Sequence, residues 1–261
     1  MDVLVYLDPS PRGEWALAAA AQLPSRWRGT RRLVATVEDA SADASLLDRA
    51  CARLSPSGPV EAVTRPGPAE RAVIEEARAR RYGLLVVPPA GRGAVARMLR
   101  GSRVATVVRS VGAPVLVARR PPERIERVLG ALSGRDTTAA VLEAALAWEE
   151  RPGARASFVH VRSEVPLPIG AEAAPREAPG AADLEAVRAA LAARGREADL
   201  GLRDGLIVEE TLDAFEAGAF HLLVVGAHGE GSAGFGREDA TERLLLGCPG
   251  STLVVPRGWG P

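Results

Sequence analysis

The sequence contains no lysine: all 33 of its basic residues are arginines. Without lysine, the chain cannot form a Schiff base and cannot build the phosphate-binding loop that ends in Gly-Lys-Ser or Gly-Lys-Thr. Backbone amides, hydroxyls and arginines remain as phosphate ligands. The 33 basic residues are balanced by 33 acidic ones, so no net charge attracts nucleic acid or an anionic membrane. We therefore expect no nucleic-acid partner.

Cysteines and long apolar runs are also scarce. Cys51 and Cys248 are the only cysteines, and their spacing fits neither a disulfide framework nor a metal site. No stretch approaches the roughly 18 uninterrupted apolar residues of a membrane-spanning helix, and the first residues lack the pattern of a secretory signal. We expect a cytoplasmic protein that has no metal site and no membrane partner.

An internal repeat organises the 261 residues. The segment LLVVPPAGRG at 84–93 recurs as LLVVGAHGEG at 222–231, an offset of 138 residues, and VLVYLD at 3–8 matches VLGALS at 128–133 at an offset of 125. The second copy therefore carries 13 extra residues. Their Ala-, Pro-, Glu- and Gly-rich composition places them in a surface loop between Val165 and Asp183.

Each copy alternates short apolar runs with helical patterns, which is typical of a parallel sheet covered by helices. The prolines after Arg119 interrupt both patterns and predict domains 1–122 and 123–261. The predicted strands of the first copy are Val3–Leu7, Arg32–Val37, Val60–Thr64, Leu84–Val87 and Pro114–Ala118. Those of the second are Arg127–Leu132, Ser157–Val161, Asp199–Leu202, Leu222–Val225 and Thr252–Val255. Predicted helices include Glu14–Leu23, Ala69–Arg81, Arg103–Ser110 and Leu184–Arg194.

Two loops of the first copy are candidates for a ligand site, because ligands of open parallel sheets bind beyond the carboxyl ends of the strands. Asp8 ends the first strand, where its carboxylate can bind a ribose hydroxyl or a metal-bound water, or can simply begin the next helix. After the fourth strand, Gly91 is followed by nine residues and then by Gly101 and Ser102. Small residues before a helix favour phosphate binding, although the same pattern also forms plain turns. The arginines around this loop are Arg92, Arg97, Arg100 and Arg103.

These features resemble the universal stress protein family, whose nucleotide-binding members carry an Asp after strand one and the pattern G-x-x-G-x9-G-[S/T] after strand four. The resemblance implies two tandem doubly wound five-stranded parallel α/β domains of the adenine nucleotide α-hydrolase type. It also implies the strand order 3-2-1-4-5 and association through strand five. We expect the two fifth strands of this chain to pair as an intramolecular pseudo-twofold dimer, and a further homodimer is open.

The resemblance assigns roles in the first copy. Asp8 is expected at the ribose and Val37 at adenine, while Gly91, Gly101 and Ser102 hold the phosphates. Pro88 stands where the pattern has its first glycine, which removes a backbone N–H. The residues completing the predicted site are Arg92, Gly93 and Arg103.

The second copy departs from the pattern at other positions. It keeps Gly226 and Gly229, but the residue ten positions beyond Gly229 is Asp239, and Ser133 replaces the first-strand carboxylate. Acidic residues at a helix N-terminus oppose a triphosphate. We therefore predict at most a weak second site at Gly226 and Gly229, with no nucleotide in this domain.

The sequence supports three functional hypotheses. The first is a stress-response protein that binds ATP or a related adenine nucleotide, with or without Mg²⁺, as a regulatory ligand in its first domain. The second is a nucleotide-free scaffold for partner proteins, and the third a slow ATP-cleaving enzyme. We expect no enzyme, because no acid, base or metal cluster accompanies the loop. His160, His221 and His228 show no shared spacing and are predicted to be structural or exposed.

Overall fold

The structure is a computed structural model that describes residues 1–7, 10–37, 40–67, 69–89, 111–133, 137–162, 181–196, 199–227 and 238–260. Within these residues, strands and helices alternate along the chain in two successive sets. This alternation is the α/β pattern that the apolar runs predict.

The first domain contributes five described strands and three described helices. The strands are β1 (Val3–Leu7), β2 (Arg31–Val37), β3 (Val60–Pro66), β4 (Leu84–Val87) and β5 (Val115–Val117), and the helices are α1 (Gly13–Ala20), α2 (Ala40–Leu54) and α3 (Ala69–Ala79). A short 3-10 turn, Ser25–Trp27, lies between α1 and β2. The predicted helix Arg103–Ser110 lies outside the described residues.

The second domain repeats the arrangement. Its strands are β6 (Arg127–Leu132), β7 (Arg155–Arg162), β8 (Leu200–Asp204), β9 (Leu222–Gly226) and β10 (Ser251–Val255), and its described helices are α4 (Thr138–Leu146), α5 (Ala181–Ala192), α6 (Ile207–Ala217) and α7 (Glu238–Gly247). A 3-10 turn, Ala147–Glu150, follows α4. No helix in the described part of the chain combines the length and apolarity that crossing a bilayer requires.

The two copies superimpose on the offsets that the sequence predicts. Helix α1 begins at Gly13 and α4 at Thr138, an offset of 125, whereas β4 begins at Leu84 and β9 at Leu222, an offset of 138. The extra residues therefore lie between β7 and α5, as predicted. Part of the predicted loop is wrong, because α5 begins at Ala181 and includes residues through Asp183. The rest of that loop lies outside the described residues.

The ten described strands form one sheet in the order β3-β2-β1-β4-β5-β10-β9-β6-β7-β8. Neighbours within each domain are parallel, and each half has the order 3-2-1-4-5 when it is counted from its own first strand. The strands β5 and β10 pair antiparallel, with Leu116 opposite Leu253. The predicted pairing of the two fifth strands is present, so each covers the other's edge.

Both faces of the sheet are buried along its inner strands, which explains why those strands read as nearly continuous apolar runs. Along β1, Val3 and Val5 enter one hydrophobic cluster and Leu4 enters the other. The first cluster includes residues of α1, α2 and α4, and the second includes residues of α3, α6 and α7. Each cluster draws on both domains, so the two cores continue across the β5–β10 pair.

A group of tryptophans also joins the domains. Trp27 is fully buried and donates its Nε1–H to the carbonyl of Gly83 at 3.2 Å. Its ring lies 6.4 Å from that of Trp148 in the second domain and is stacked at 5.8 Å on that of Trp259, which follows β10. The carboxyl-terminal residues therefore return to the first domain.

Candidate functional site

The carboxyl ends of β1 and β4 lie side by side in the first domain. The two strands pair in parallel with Val3 opposite Leu84 and Val5 opposite Val86, so the segments that follow them leave the same edge of the sheet. This adjacency is what a site shared by the two loops requires. Asp8, Gly91, Arg92, Gly93, Gly101, Ser102 and Arg103 of the predicted site lie outside the described residues.

Pro88 is the one fully described member of the predicted first-domain site. It follows β4 directly and is buried, as is Pro89. The last β4 carbonyl, that of Val87, accepts a hydrogen bond from the amide of Ala118 at 2.9 Å. Since Pro88 has no N–H, this position offers no backbone donor to a ligand, in contrast to a glycine. Val37 is the last residue of β2.

In the second domain, a threonine occupies the space above the matching glycine. A Cβ built on Gly226 would lie 2.2 Å from the Oγ1 and 2.4 Å from the Cβ of Thr137, so no larger residue fits there. Thr137 is 1% exposed. The missing side chain of Gly226 therefore makes room for Thr137.

The hydroxyl of Thr137 belongs to a small polar network. Thr137 precedes α4 but makes no side-chain cap to that helix, and its Oγ1 is hydrogen-bonded to the Oγ of Ser133 at 3.1 Å instead. The hydroxyl of Thr241 on α7 donates to the Gly226 carbonyl at 3.1 Å. One hydrogen bond thus links the end of β6 to the start of α4, and the other links α7 to β9. Hydroxyls satisfied in this way stabilise the strand ends.

Helix α7 begins at Glu238, and Asp239 follows. Its first turn therefore carries two acidic residues at the end where the helix dipole is positive. The acidic residues therefore lie at a helix N-terminus, as predicted, and their effect on a bound anion stays a prediction. Gly229 lies outside the described residues.

The histidines of the described chain have structural roles, as predicted. His160 is 7% exposed, and its Nδ1 donates to the carbonyl of Leu132 at 2.8 Å. The Nδ1 of His221 accepts the amide of Glu126 at 3.1 Å, and burial lowers the pKa of this imidazole. His228 lies outside the described residues. Within the described residues, no group of three metal-ligating side chains comes together.

Thr137 was not identified as a functional residue from the sequence. The signal was present: at the offset of 125 it corresponds to Arg12, which is exposed and directly precedes α1. The second domain has a small hydroxyl residue in place of this long cation, and Ser133 in place of Asp8. Together these two differences indicate that the side chains after the first strand differ between the two domains.

The fold and these strand ends define a tandem pair of doubly wound parallel α/β domains. The model of the universal stress protein family matches residues 30–119 and 124–256. The chain belongs to this family and contains two of its domains. No curated protein sequence shows a significant match to it.

Solved structures with the same fold include members of that family. A proposed universal stress protein from Pseudomonas aeruginosa UCBPP-PA14 matches 98% of this chain and 93% of its own, with 17% identity and a TM-score of 0.73. A universal stress protein from Archaeoglobus fulgidus DSM 4304 matches 98% of this chain and 96% of its own, with 16% identity and a TM-score of 0.67. At these identities, the similarity shows a shared tandem fold.

Proposed function

We propose that this protein binds ATP or a related adenine nucleotide in its first domain and uses it as a regulatory ligand in a cytoplasmic stress response. Binding does not lead to rapid turnover in this proposal. The observation that carries it is the adjacency of β1 and β4, which directs the segments beginning at Asp8 and Pro88 from the same sheet edge. Those segments carry the carboxylate and the Gly91, Gly101 and Ser102 spacing of the family's nucleotide-binding members.

The second domain has a supporting role in this proposal. Thr137 fills the space above Gly226, Ser133 stands in place of a carboxylate, and α7 opens on two acidic residues. Each of these features disfavours a triphosphate. The strands β5 and β10 tie this domain to the first one. We infer that one nucleotide binds per chain.

A nucleotide-free scaffold is the second candidate function, and Pro88 favours it. In the first domain this residue is buried, and it removes the backbone donor that the first glycine of the pattern provides. If this donor is essential, neither domain binds nucleotide and the tandem sheet serves as a platform for partner proteins.

Calorimetric titration of the purified full-length chain with Mg²⁺–ATP tests the proposal. At physiological ionic strength we expect one tight site per chain, and we expect Gly101→Asp to abolish this tight site, because the substitution introduces into the first domain the acidic residue that the second domain carries at Asp239. Gly201→Asp is the matched control. Gly201 lies on the exposed edge strand β8, where the nearest atom to an added Cβ is the Phe158 carbonyl oxygen at 3.7 Å.

The results separate the three hypotheses. Binding that is lost in Gly101→Asp and retained in Gly201→Asp supports the nucleotide site. If no heat of binding is measured at millimolar ATP, the nucleotide-binding proposal is wrong and the scaffold hypothesis is favoured. Repeated release of ADP or AMP over many turnovers would show an enzyme and overturn the proposal of a purely regulatory ligand.

A further inference from the structure

Three chain segments meet at the junction of the two domains. The backbone amide of Ser25 donates to the carboxylate of Glu150 at 2.9 Å, which joins the turn after α1 to the turn after α4. The linker between the domains is held by Gln22, whose side chain donates to the Pro122 carbonyl at 2.9 Å and accepts the Ile125 amide at 2.7 Å. These contacts fix the relative positions of the three segments.

Each segment carries an arginine next to these contacts: Arg28, Arg124 and Arg151. Arg28 and Arg124 are exposed and Arg151 is half-buried. Across the residues that the structure describes, none of the three guanidinium groups has an ion pair or a hydrogen bond. Many other arginines of the chain do pair with carboxylates, for example Arg32, Arg80 and Arg196.

Arg151 lies where the positive charges of both Arg28 and Arg124 act on it. The pKa of Arg151 lies below its ordinary value, first because of burial and then because of the positive charges of Arg28 and Arg124. Arg28 acts in the same direction on Arg31, whose pKa is lowered mainly by burial. The neighbouring carboxylate of Glu150 accepts hydrogen bonds from the amide and hydroxyl of Ser25 and, within the described residues, forms no ion pair with these arginines.

Arg31 adds a fourth positive charge behind this surface. Its side chain is 0% exposed, and its Nη1 donates to the Ser57 carbonyl at 2.7 Å. Its Nε has no partner among the described residues. A buried cation without a carboxylate partner raises the local positive potential, because little solvent screens it.

We propose that Arg28, Arg124 and Arg151 form a binding site for a compact oligophosphate anion at the junction of the two domains. The planar guanidinium group binds phosphate oxygens through paired N–H donors, and several such groups recognise a multiply charged phosphate better than a single carboxylate. A bound anion would remove the mutual repulsion of the arginines. Because they come from both domains and the linker, the anion would also bridge the junction.

This site is separate from the nucleotide site proposed above. Arg28 precedes β2, Arg124 precedes β6 and Arg151 precedes β7, so all three lie at the amino ends of strands. The nucleotide-binding segments follow the carboxyl ends of β1 and β4. The oligophosphate can be a free inorganic anion or the phosphate tail of a nucleotide, since the arginines contact only phosphate.

The test is a calorimetric titration of the full-length chain with tripolyphosphate at low ionic strength. We expect one site per chain, and we expect Arg124→Gln combined with Arg151→Gln to weaken the affinity by about tenfold or more. The control combines Arg71→Gln with Arg188→Gln, which changes the net charge equally at two exposed helical ion pairs. This control should stay within about twofold of the unmodified chain.

Two further measurements keep the outcome clear. If the double variant does not fold, the single variant Arg124→Gln, at an exposed linker position, replaces it in the test. This single variant should still weaken the binding of tripolyphosphate. The Gly101→Asp chain, which lacks the proposed nucleotide site, distinguishes the two sources of the anion. Equal affinity of this variant for ATP and tripolyphosphate supports recognition of phosphate alone. Tighter binding of ATP that still depends on Arg151 supports a nucleotide as the ligand. Absence of tripolyphosphate binding, or equal weakening in the control, would overturn the proposal.

Discussion

At the scale of single residues, a buried carboxylate of the first domain is held by several donors. Glu76 of α3 is 2% exposed and accepts hydrogen bonds from Arg65 at 3.0 and 2.5 Å and from the Tyr82 hydroxyl at 2.9 Å. Arg32 of β2 also bonds it. Burial alone would raise the pKa of Glu76, but these donors and the charge of Arg32 hold it below its ordinary value. The group therefore joins α3 to two strands as an anion.

Replacing Glu76 by Gln should lower the free energy of unfolding by roughly 2–3 kcal/mol at neutral pH, because it leaves Arg65 without its carboxylate and removes one of the two carboxylates that pair with Arg32. Since the folded-state pKa is depressed, the stabilisation is fully present above about pH 5 and is lost as the pH falls through the folded-state value. Urea unfolding of both chains from pH 7 to pH 3 measures this: the two free energies should converge in acid.

The neighbouring Glu75→Gln is the control for this prediction. Glu75 pairs with Arg71 on the exposed face of the same helix, with both side chains more than half exposed. An exposed pair of this kind contributes little to stability, because water screens both charges. Equal losses in the two variants, or a Glu76→Gln difference that grows in acid, would contradict the assigned role of the buried network.

Single residues also mark the limit of sequence prediction for the candidate site. The departure at Pro88 could be read directly from the repeat, because one position of a known pattern holds the wrong residue. The contact of Thr137 with Gly226 could not be predicted from the sequence, because it depends on how the Thr137 side chain is directed toward the neighbouring strand β9. A retained glycine indicates a close approach to the backbone, but only the fold shows which group approaches.

At the scale of elements, the buried strands were predicted well and their ends less well. Strand β3 continues to Pro66, two residues beyond its predicted end, because it pairs with β2 up to Val37. Proline is tolerated there since β3 lies at the edge of the sheet. Helix α2 received no predicted bounds, because Leu47, Ala50 and Leu54 provide only a narrow buried stripe in a run of small and polar residues. Pairing and packing decide such limits, and neither is local in sequence.

Helix α7 is an element whose end is stabilised from the other domain. The guanidinium of Arg119, just after β5, donates to the carbonyls of Leu245 and Leu246 at 3.3 and 3.1 Å and to that of Cys248. These carbonyls have no partner in a following helical turn, and the C-terminal end of a helix favours a cation. One arginine thus closes a helix of the second domain from the first.

Arg119→Met should therefore lower the free energy of unfolding by about 1–2 kcal/mol, since it removes the donors but keeps the length of the side chain. Hydrogen exchange should show the loss of protection concentrated at the C-terminal end of α7. Arg78→Met on the exposed side of α3 is the matched substitution and should change neither quantity. Uniform loss of protection over the whole second domain would argue against a local cap.

At the scale of the whole molecule, the β5–β10 pair makes the tandem chain one sheet instead of two linked domains. Leu116 and Leu253 face each other across this pair and are both 0% exposed. The hydrophobic clusters on both faces of the sheet contain residues of each domain. The duplication was readable from the sequence as a repeat. The continuity of the two cores was expected only from the family resemblance, since strand pairing between copies leaves no pattern along one copy.

A continuous core predicts that the two domains unfold together. Leu253→Ala in β10 should lower the free energy of unfolding by about 2–4 kcal/mol through the cavity it leaves. Slowly exchanging amides of β1 and of β6 should lose protection by the same amount, although the change lies in one domain. Leu202→Ala is the same substitution at an edge-strand leucine that is 43% exposed, and it should change stability by less than about 0.5 kcal/mol.

If β6 lost protection while β1 kept it, the domains would be independent folding units. The β5–β10 pair would then be a docking contact that does not couple them, and an anion at the junction arginines would stabilise the docked arrangement without changing the stability of either domain.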